Sequence, residues 1–240
     1  MPTAREALLD AALSALATRP WTAVRMVDVA AAAGVSRQTL HNEFGGKDGL
    51  ARALLRDAAD GYLAGVERAL APDGGATEKL TAAAVWTVRA VRANALVRGV
   101  LTGCWNERTP RPVRCGPPPL STVPAQRRAD AGTPPPAELL RLAGERAATA
   151  LGASRPDPAA PRPPCDPAAL AARCEIVLRL ALSYALVPAR PGTGRGPVPL
   201  VRHVLEGAPG PVARAAFPRV ADAVPVSGPS PRAGARSPRG

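Results

Sequence analysis

The chain has 240 residues, a formal net charge of +12, 46% hydrophobic residues and only 3% aromatic ones. That length suits one compact domain or a small module joined to a larger one, and a core of Ala, Leu and Val without apolar runs of period two argues against a sheet. Cys104, Cys115, Cys165 and Cys174 form no Cys-x-x-Cys pair, and His41 and His203 are the only histidines, which argues against both a structural zinc site and a disulfide framework.

In chain order, Thr3 and Glu6 have capping-box spacing. Leu8, Leu9, Ala12, Leu13 and Leu16 then share one face, which predicts a helix over about residues 4–18. This stretch carries acids and has no apolar signal-peptide core. Arg19-Pro20 ends it, because the residue before proline is pushed out of helical geometry. Met26, Val29, Ala30 and Ala33 recur at helical spacing and predict a second helix over about 26–33, with Gly34 as the positive-φ turn after it. Ser36 caps a third helix. Val35 and Leu40 form a hydrophobic staple, Phe44 closes the buried side and Gly45-Gly46 breaks the helix. A fourth helix is predicted over about 47–70, with Leu50, Leu54, Leu55, Ala58, Tyr62 and Leu63 as its apolar stripe. A turn at 71–75 leads to a fifth helix over about 77–93 and a short sixth over about 95–101.

Beyond residue 107 the texture changes, for 26 of the 29 prolines lie there. Segments 104–136 and 152–165 are expected to be irregular and Pro-rich. Helices are predicted over about 137–151, from the Asp166-Pro167 start to about Val187, and briefly over about 198–206. Residues 208–240 are expected to be a disordered tail. The most apolar helix is interrupted by Arg173, Glu175 and Arg179, too many charges for a membrane span. A reducing, cytoplasmic protein is expected. Residues 1–107 hold 12 basic and 11 acidic residues, whereas 108–240 hold 19 Arg and 8 acidic ones. The excess charge thus stands apart from the third helix and reads as a solvated surface, not a second nucleic-acid arm.

A helix, a tight Gly turn and a short polar helix make the helix-turn-helix pattern. Its second helix enters the major groove with its N-terminal residues on base edges. Arg pairs with guanine, Gln or Asn with adenine, and the Thr methyl packs on thymine. Candidate DNA contacts are therefore Arg25, Ser36, Arg37, Gln38, Thr39, His41, Asn42 and Lys47. No Gly-x-Ser-x-Gly, Walker pattern or partnered histidine suggests catalysis, and no catalytic residue, cofactor or metal is expected.

The ordered set Val24, Asp28-Val29-Ala30, Ala33-Gly34-Val35-Ser36, Thr39-Leu40, Phe44, Lys47-Asp48 and Leu50 resembles the TetR family of transcriptional regulators over about residues 5–55. Three positions depart from the family pattern: His41 replaces the usual Tyr, Arg25 the usual capping Ser or Thr, and Glu43 a residue that is often aromatic or His. A Glu facing DNA would be repelled, so Glu43 is expected to point sideways or to pair with a cation. The resemblance implies an all-α protein with a DNA-binding module at 1–52 and a helical effector-binding and dimerisation part at 53–207. Such a protein is a homodimeric repressor on palindromic double-stranded DNA, released by a small-molecule effector. Candidate pocket residues are Tyr62, Trp86, Asn94, Leu101 and Trp105. Candidate dimer-interface residues are Leu170, Cys174, Val177, Leu178, Ala181 and Tyr184. The alternative is a DNA-binding protein without a working pocket, controlled by a protein partner or constitutive.

Overall fold

A computed structural model describes residues 3–112, 132–152, 166–187 and 198–199. Among them are eight α-helices and no strand: α1 (Ala4–Thr18), α2 (Met26–Ala32), α3 (Arg37–Phe44), α4 (Lys47–Leu70), α5 (Ala76–Ala93), α6 (Ala95–Thr102), α7 (Pro136–Gly152) and α8 (Pro167–Leu186). A short 3-10 turn, Trp21–Ala23, that the periodicity did not announce lies between α1 and α2. The helices lie within one compact unit, residues 1–207. The short helix expected at 198–206 is described only at Val198 and Pro199, which are helical. The tail at 208–240 and most of the two Pro-rich segments lie outside the described residues. No helix among the described residues is long and apolar enough to cross a membrane.

The helix ends follow from local chemistry. Thr3 and Glu6 form the reciprocal capping box at α1, with N–O distances of 2.7 and 3.2 Å. The Asn94 side chain accepts hydrogen bonds from the amides of Leu96 and Val97 and starts α6. The Asp166 carboxylate accepts one from the Ala168 amide and starts α8, with Pro167 at the first helical position. Each such cap is worth about 1 kcal/mol.

The long helix α4 organises the rest. Its first half buries Leu50, Leu54 and Leu55, and its second half buries Tyr62, Leu63, Val66 and Leu70. It packs on α1 and α3 on one side of the molecule and on α5, α6 and α7 on the other. The boundary expected at residue 52 therefore falls inside α4. α8 closes the far side of the bundle against α5 and α7.

The start of α4 lies against the end of α3 with no room to spare. A Cβ built on Gly49 would fall 1.7 Å from the Phe44 carbonyl oxygen. That oxygen is backbone and cannot swing aside. Gly49→Ala must therefore spread α3 from α4, and it is expected to destabilise the protein by about 1–3 kcal/mol, the usual cost of overpacking. Urea unfolding checks this; an unchanged midpoint would show that the junction can open without cost.

Candidate nucleic-acid interface

α3 has eight residues, too few to be stable alone. Its shape comes from its ends and its buried face. The Ser36 hydroxyl accepts a hydrogen bond from the Thr39 amide at 2.9 Å and lies 2.8 Å from the Thr39 hydroxyl. Leu40 and Phe44 are buried, and Val35 packs partly against the same core. Gly45 ends the helix at φ 70°, a conformation open to glycine at little steric cost. Between α2 and α3, Gly34 makes the turn at φ 68°. The staple and the Gly34 turn thus set the angle at which α3 leaves α2, and the Gly45 turn ends α3 before α4.

On the outer side, Arg25, Ser36, Arg37, Gln38, His41 and Asn42 are exposed, and Thr39 and Lys47 are half-buried. Arg25 stands at the start of α2 and makes no capping hydrogen bond with its side chain. The Gln38 amide nitrogen donates to the Asn42 amide oxygen at 2.9 Å, one helical turn apart. The pair leaves the Gln38 oxygen as an acceptor and the Asn42 amide as a donor. The Thr39 hydroxyl is turned back onto Ser36, so its methyl group is the part left for an apolar contact.

Lys47 begins α4 and reaches back to the 3-10 turn. Its ammonium lies 5.0 Å from the centroid of the Trp21 ring and donates to the Thr22 carbonyl at 3.3 Å. Glu43 does point sideways: its carboxylate is 3.8 Å from the Arg5 guanidinium, which also lies 4.8 Å over the Phe44 ring. At 3.8 Å this is an ion pair without a hydrogen bond, which agrees with the lack of a hydrogen-bond partner at the same Arg5 nitrogen. Arg5 ties α1 to the end of α3. It also faces Asp57 on α4, whose pKa is raised by desolvation and by the Asp60 and Asp10 charges, with Arg5 opposing the rise. Arg19 and Asp28 join the end of α1 to α2 at 3.1 Å.

Two of these features were not visible in the sequence. Trp21 follows a proline at a position without helical period, so nothing in the pattern tied it to Lys47. The cation for Glu43 lay 38 positions away on another helix.

The pocket candidates fall in several places. Tyr62 is fully buried, with its hydroxyl 3.2 Å from that of Thr87, and burial pushes its pKa up to about 12. The Trp86 indole donates to the Tyr62 carbonyl at 3.4 Å, and its ring occupies the space above Gly65. Trp105 fills the corresponding space above Gly99, and Leu101 is core. Asn94 is a correction: it is exposed, its side-chain oxygen is taken up in capping α6, and it does not face the interior. Among the described residues, one groove of about 550 Å³ lies between α1 and α2 and another of about 460 Å³ between α7 and α8. None of the five residues lines either groove.

The dimer candidates lie mostly in the chain's own core. Cys174, Val177, Leu178 and Ala181 are buried within this chain, against α5 and α7. Burial pushes the Cys174 thiol up to about 11. Leu170 lines the groove beside α7, and Tyr184 lies under the Arg92 guanidinium of α5 at 5.4 Å. The apolar stripe of α8 is thus the chain's own core face. Ile176, Leu186 and Val187 are instead exposed, at 51%, 47% and 75%.

A short polar helix that follows a bracing helix and a glycine turn is the helix-turn-helix arrangement. Residues 8–54 match the sequence model described as bacterial regulatory proteins, tetR family. Over 66 residues the chain is 46% identical to the HTH-type transcriptional regulator AlkX of Mycobacterium tuberculosis, a match covering 28% of this chain and 31% of that protein. Over 65 residues it is 46% identical to the HTH-type transcriptional repressor LfrR of Mycolicibacterium smegmatis, covering 27% and 33%. The match thus spans about a third of the length of these relatives. The crystal structure of the TetR family repressor AlkX from Dietzia sp. overlays with a TM-score of 0.45 at 23% identity, covering 85% of this chain and 91% of that one. That overlay is too loose to transfer anything from.

Proposed function

We propose that the chain is a sequence-specific transcriptional regulator that binds operator DNA as a homodimer and represses. The reading rests on one observation: α3 presents Arg37, Gln38, His41 and Asn42 outward from a face fixed by Leu40 and Phe44. Arg37 suits a guanine edge, and the Gln38–Asn42 pair, with one acceptor and one donor left over, suits an adenine. The Thr39 methyl suits thymine. Arg25, Ser36, His41 and Lys47 suit phosphates, and phosphate contacts set register without reading sequence. The name of LfrR as a repressor supports the same sign of regulation here. Residues 1–52 act as the DNA-reading module and 53–207 as the larger helical part, joined through α4.

Because Gln38 and Asn42 are hydrogen-bonded to each other, they act as a unit. After a consensus site is selected from random duplexes, Gln38→Ala and Asn42→Ala are each expected to weaken it by about 1–3 kcal/mol. The double variant should cost little more than either single change. Equal losses on random DNA would remove the pair from base reading.

Pairing of two copies supplies the second half-site, since one α3 reads too few base pairs to be selective. With the apolar stripe of α8 buried internally, the outer side around Ile176 is the face that supports this contact. Ile176→Glu is expected to shift the sedimentation of the full chain toward monomer and to leave the helical circular dichroism intact. An unchanged oligomer would place the contact elsewhere.

Release by a small molecule requires that the ligand prefer a state with badly spaced recognition helices. The alternative, control without such a pocket, is favoured by one observation: Trp86 and Trp105 fill the spaces over Gly65 and Gly99 and leave no gap there. A thermal-shift screen of metabolites separates the two. A ligand at a hundred times its Kd raises stability by about 2.7 kcal/mol, and its melting shift should fall in a Trp86→Ala variant. Screens without any shift would favour control by a partner or none.

A further inference from the structure

Lys47 is held from two directions before any DNA arrives. The Trp21 ring lies under its ammonium at 5.0 Å, and the Thr22 carbonyl accepts one of its three protons at 3.3 Å. Two donors remain for a phosphate. Both holding groups belong to the three-residue turn Trp21–Ala23, which is too short to define its own position. It is fixed from outside: the Trp21 amide donates to the Arg108 carbonyl at 3.1 Å.

Arg108 lies in the segment that follows α6. That segment leaves α6 through Gly103, at φ 71°. It turns at Asn106, whose side-chain oxygen accepts from the Arg108 amide at 3.0 Å and from the Thr109 hydroxyl at 3.2 Å. Thr109 and Pro110 are buried, so the turn is anchored in the fold. A continuous path therefore runs from α6 through the Asn106 turn, the Arg108 carbonyl and Trp21 to Lys47.

We propose that Trp21 is a positioning residue for Lys47, and that the Asn106 turn, through the Arg108 carbonyl, couples the segment after α6 to DNA affinity. The inference rests on the reading of Lys47 as a phosphate contact. A lysine stem already held over a ring has less rotamer freedom to lose when it engages phosphate. If the Arg108 carbonyl moves, the turn moves with it and Lys47 loses its seat. The larger helical part then has a route to the DNA contact that bypasses α4.

The test is binding of the full-length protein to a labelled random-sequence duplex across a salt titration, so that no operator need be known. Lys47→Ala is expected to lower affinity and to reduce the slope of log K against log salt by about one unit for each subunit bound. Trp21→Leu and Asn106→Ala are each expected to weaken binding about two- to fivefold, the size of one exposed cation–π contact. Neither should weaken it further in the Lys47→Ala background, and Trp21→Phe, which keeps a ring face, should bind nearly as the parent does. Asn106→Ala carries the test if Trp21→Leu unfolds, and melting curves establish folding for each variant. Losses that add to that of Lys47→Ala, or no loss in folded Trp21→Leu and Asn106→Ala, would overturn the coupling and leave the phosphate role of Lys47 standing. An unchanged salt slope in Lys47→Ala would overturn both.

Discussion

The first turn of α4 has almost no freedom, and the rest of the protein is arranged around that fact. Gly49 sits under the Phe44 carbonyl, at a separation that no side chain could tolerate. From this point α4 runs through 24 residues, more than half of them buried, and packs on the reading module first and on the larger helical part later. At 1.5 Å per residue it spans about 36 Å. Displacing its far end without bending it would move Lys47 and the end of α3 together. The alternative, a break in α4, would expose several of its buried leucines, each worth about 1.5–3 kcal/mol. Coupling that runs along α4 is therefore less costly as rigid motion than through a break in the helix.

How much of this was legible in the sequence depends on whether the deciding partner was local. The Thr3–Glu6 box, the Ser36 and Asp166 caps and the Gly34 and Gly45 turns were readable because each involves groups within a few residues. The outward set of α3 was readable for the same reason: once Leu40 and Phe44 point inward, the helical period fixes the rest. The role of α8 was not. Cys174, Val177, Leu178 and Ala181 form an apolar stripe that would serve an own-chain core or a partner equally well, and only the packing of α5 and α7 against it decides. Asn94 misled in another way. An amide at a helix start reads as a polar group in a pocket wall until its two backbone partners are seen. Trp21 and Arg5 depend on contacts 26 and 38 positions away, for which the pattern held no signal.

Charge needs the same separation of local from global. The formal +12 is carried mostly by residues beyond 107, whereas the cations at the starts of α2 and α4 and on α3 are Arg25, Lys47 and Arg37, with His41 also exposed on α3. At physiological salt, exposed charges more than about 8 Å apart are largely screened from one another, so these local groups set the contact at the groove. The acid nearest to them on α3, Glu43, is drawn toward Arg5. Arg25 thus adds a cation on the outer side, while the anion that Glu43 introduces is offset by its pairing with Arg5.

These pieces explain how so short a helix keeps the single shape that the proposed base reading requires. Eight residues cannot hold a helix in water, so the geometry of α3 is borrowed from its surroundings: the cap at Ser36, the staple onto Leu40, the α4 backbone against Phe44, and Arg5 across Phe44 and Glu43. A base contact through two hydrogen bonds is lost over a fraction of an ångström. A helix with borrowed geometry therefore moves with α1, α4 and the Trp21 turn. On the proposed reading, the weak intrinsic stability of α3 opens its DNA affinity to control from the rest of the chain.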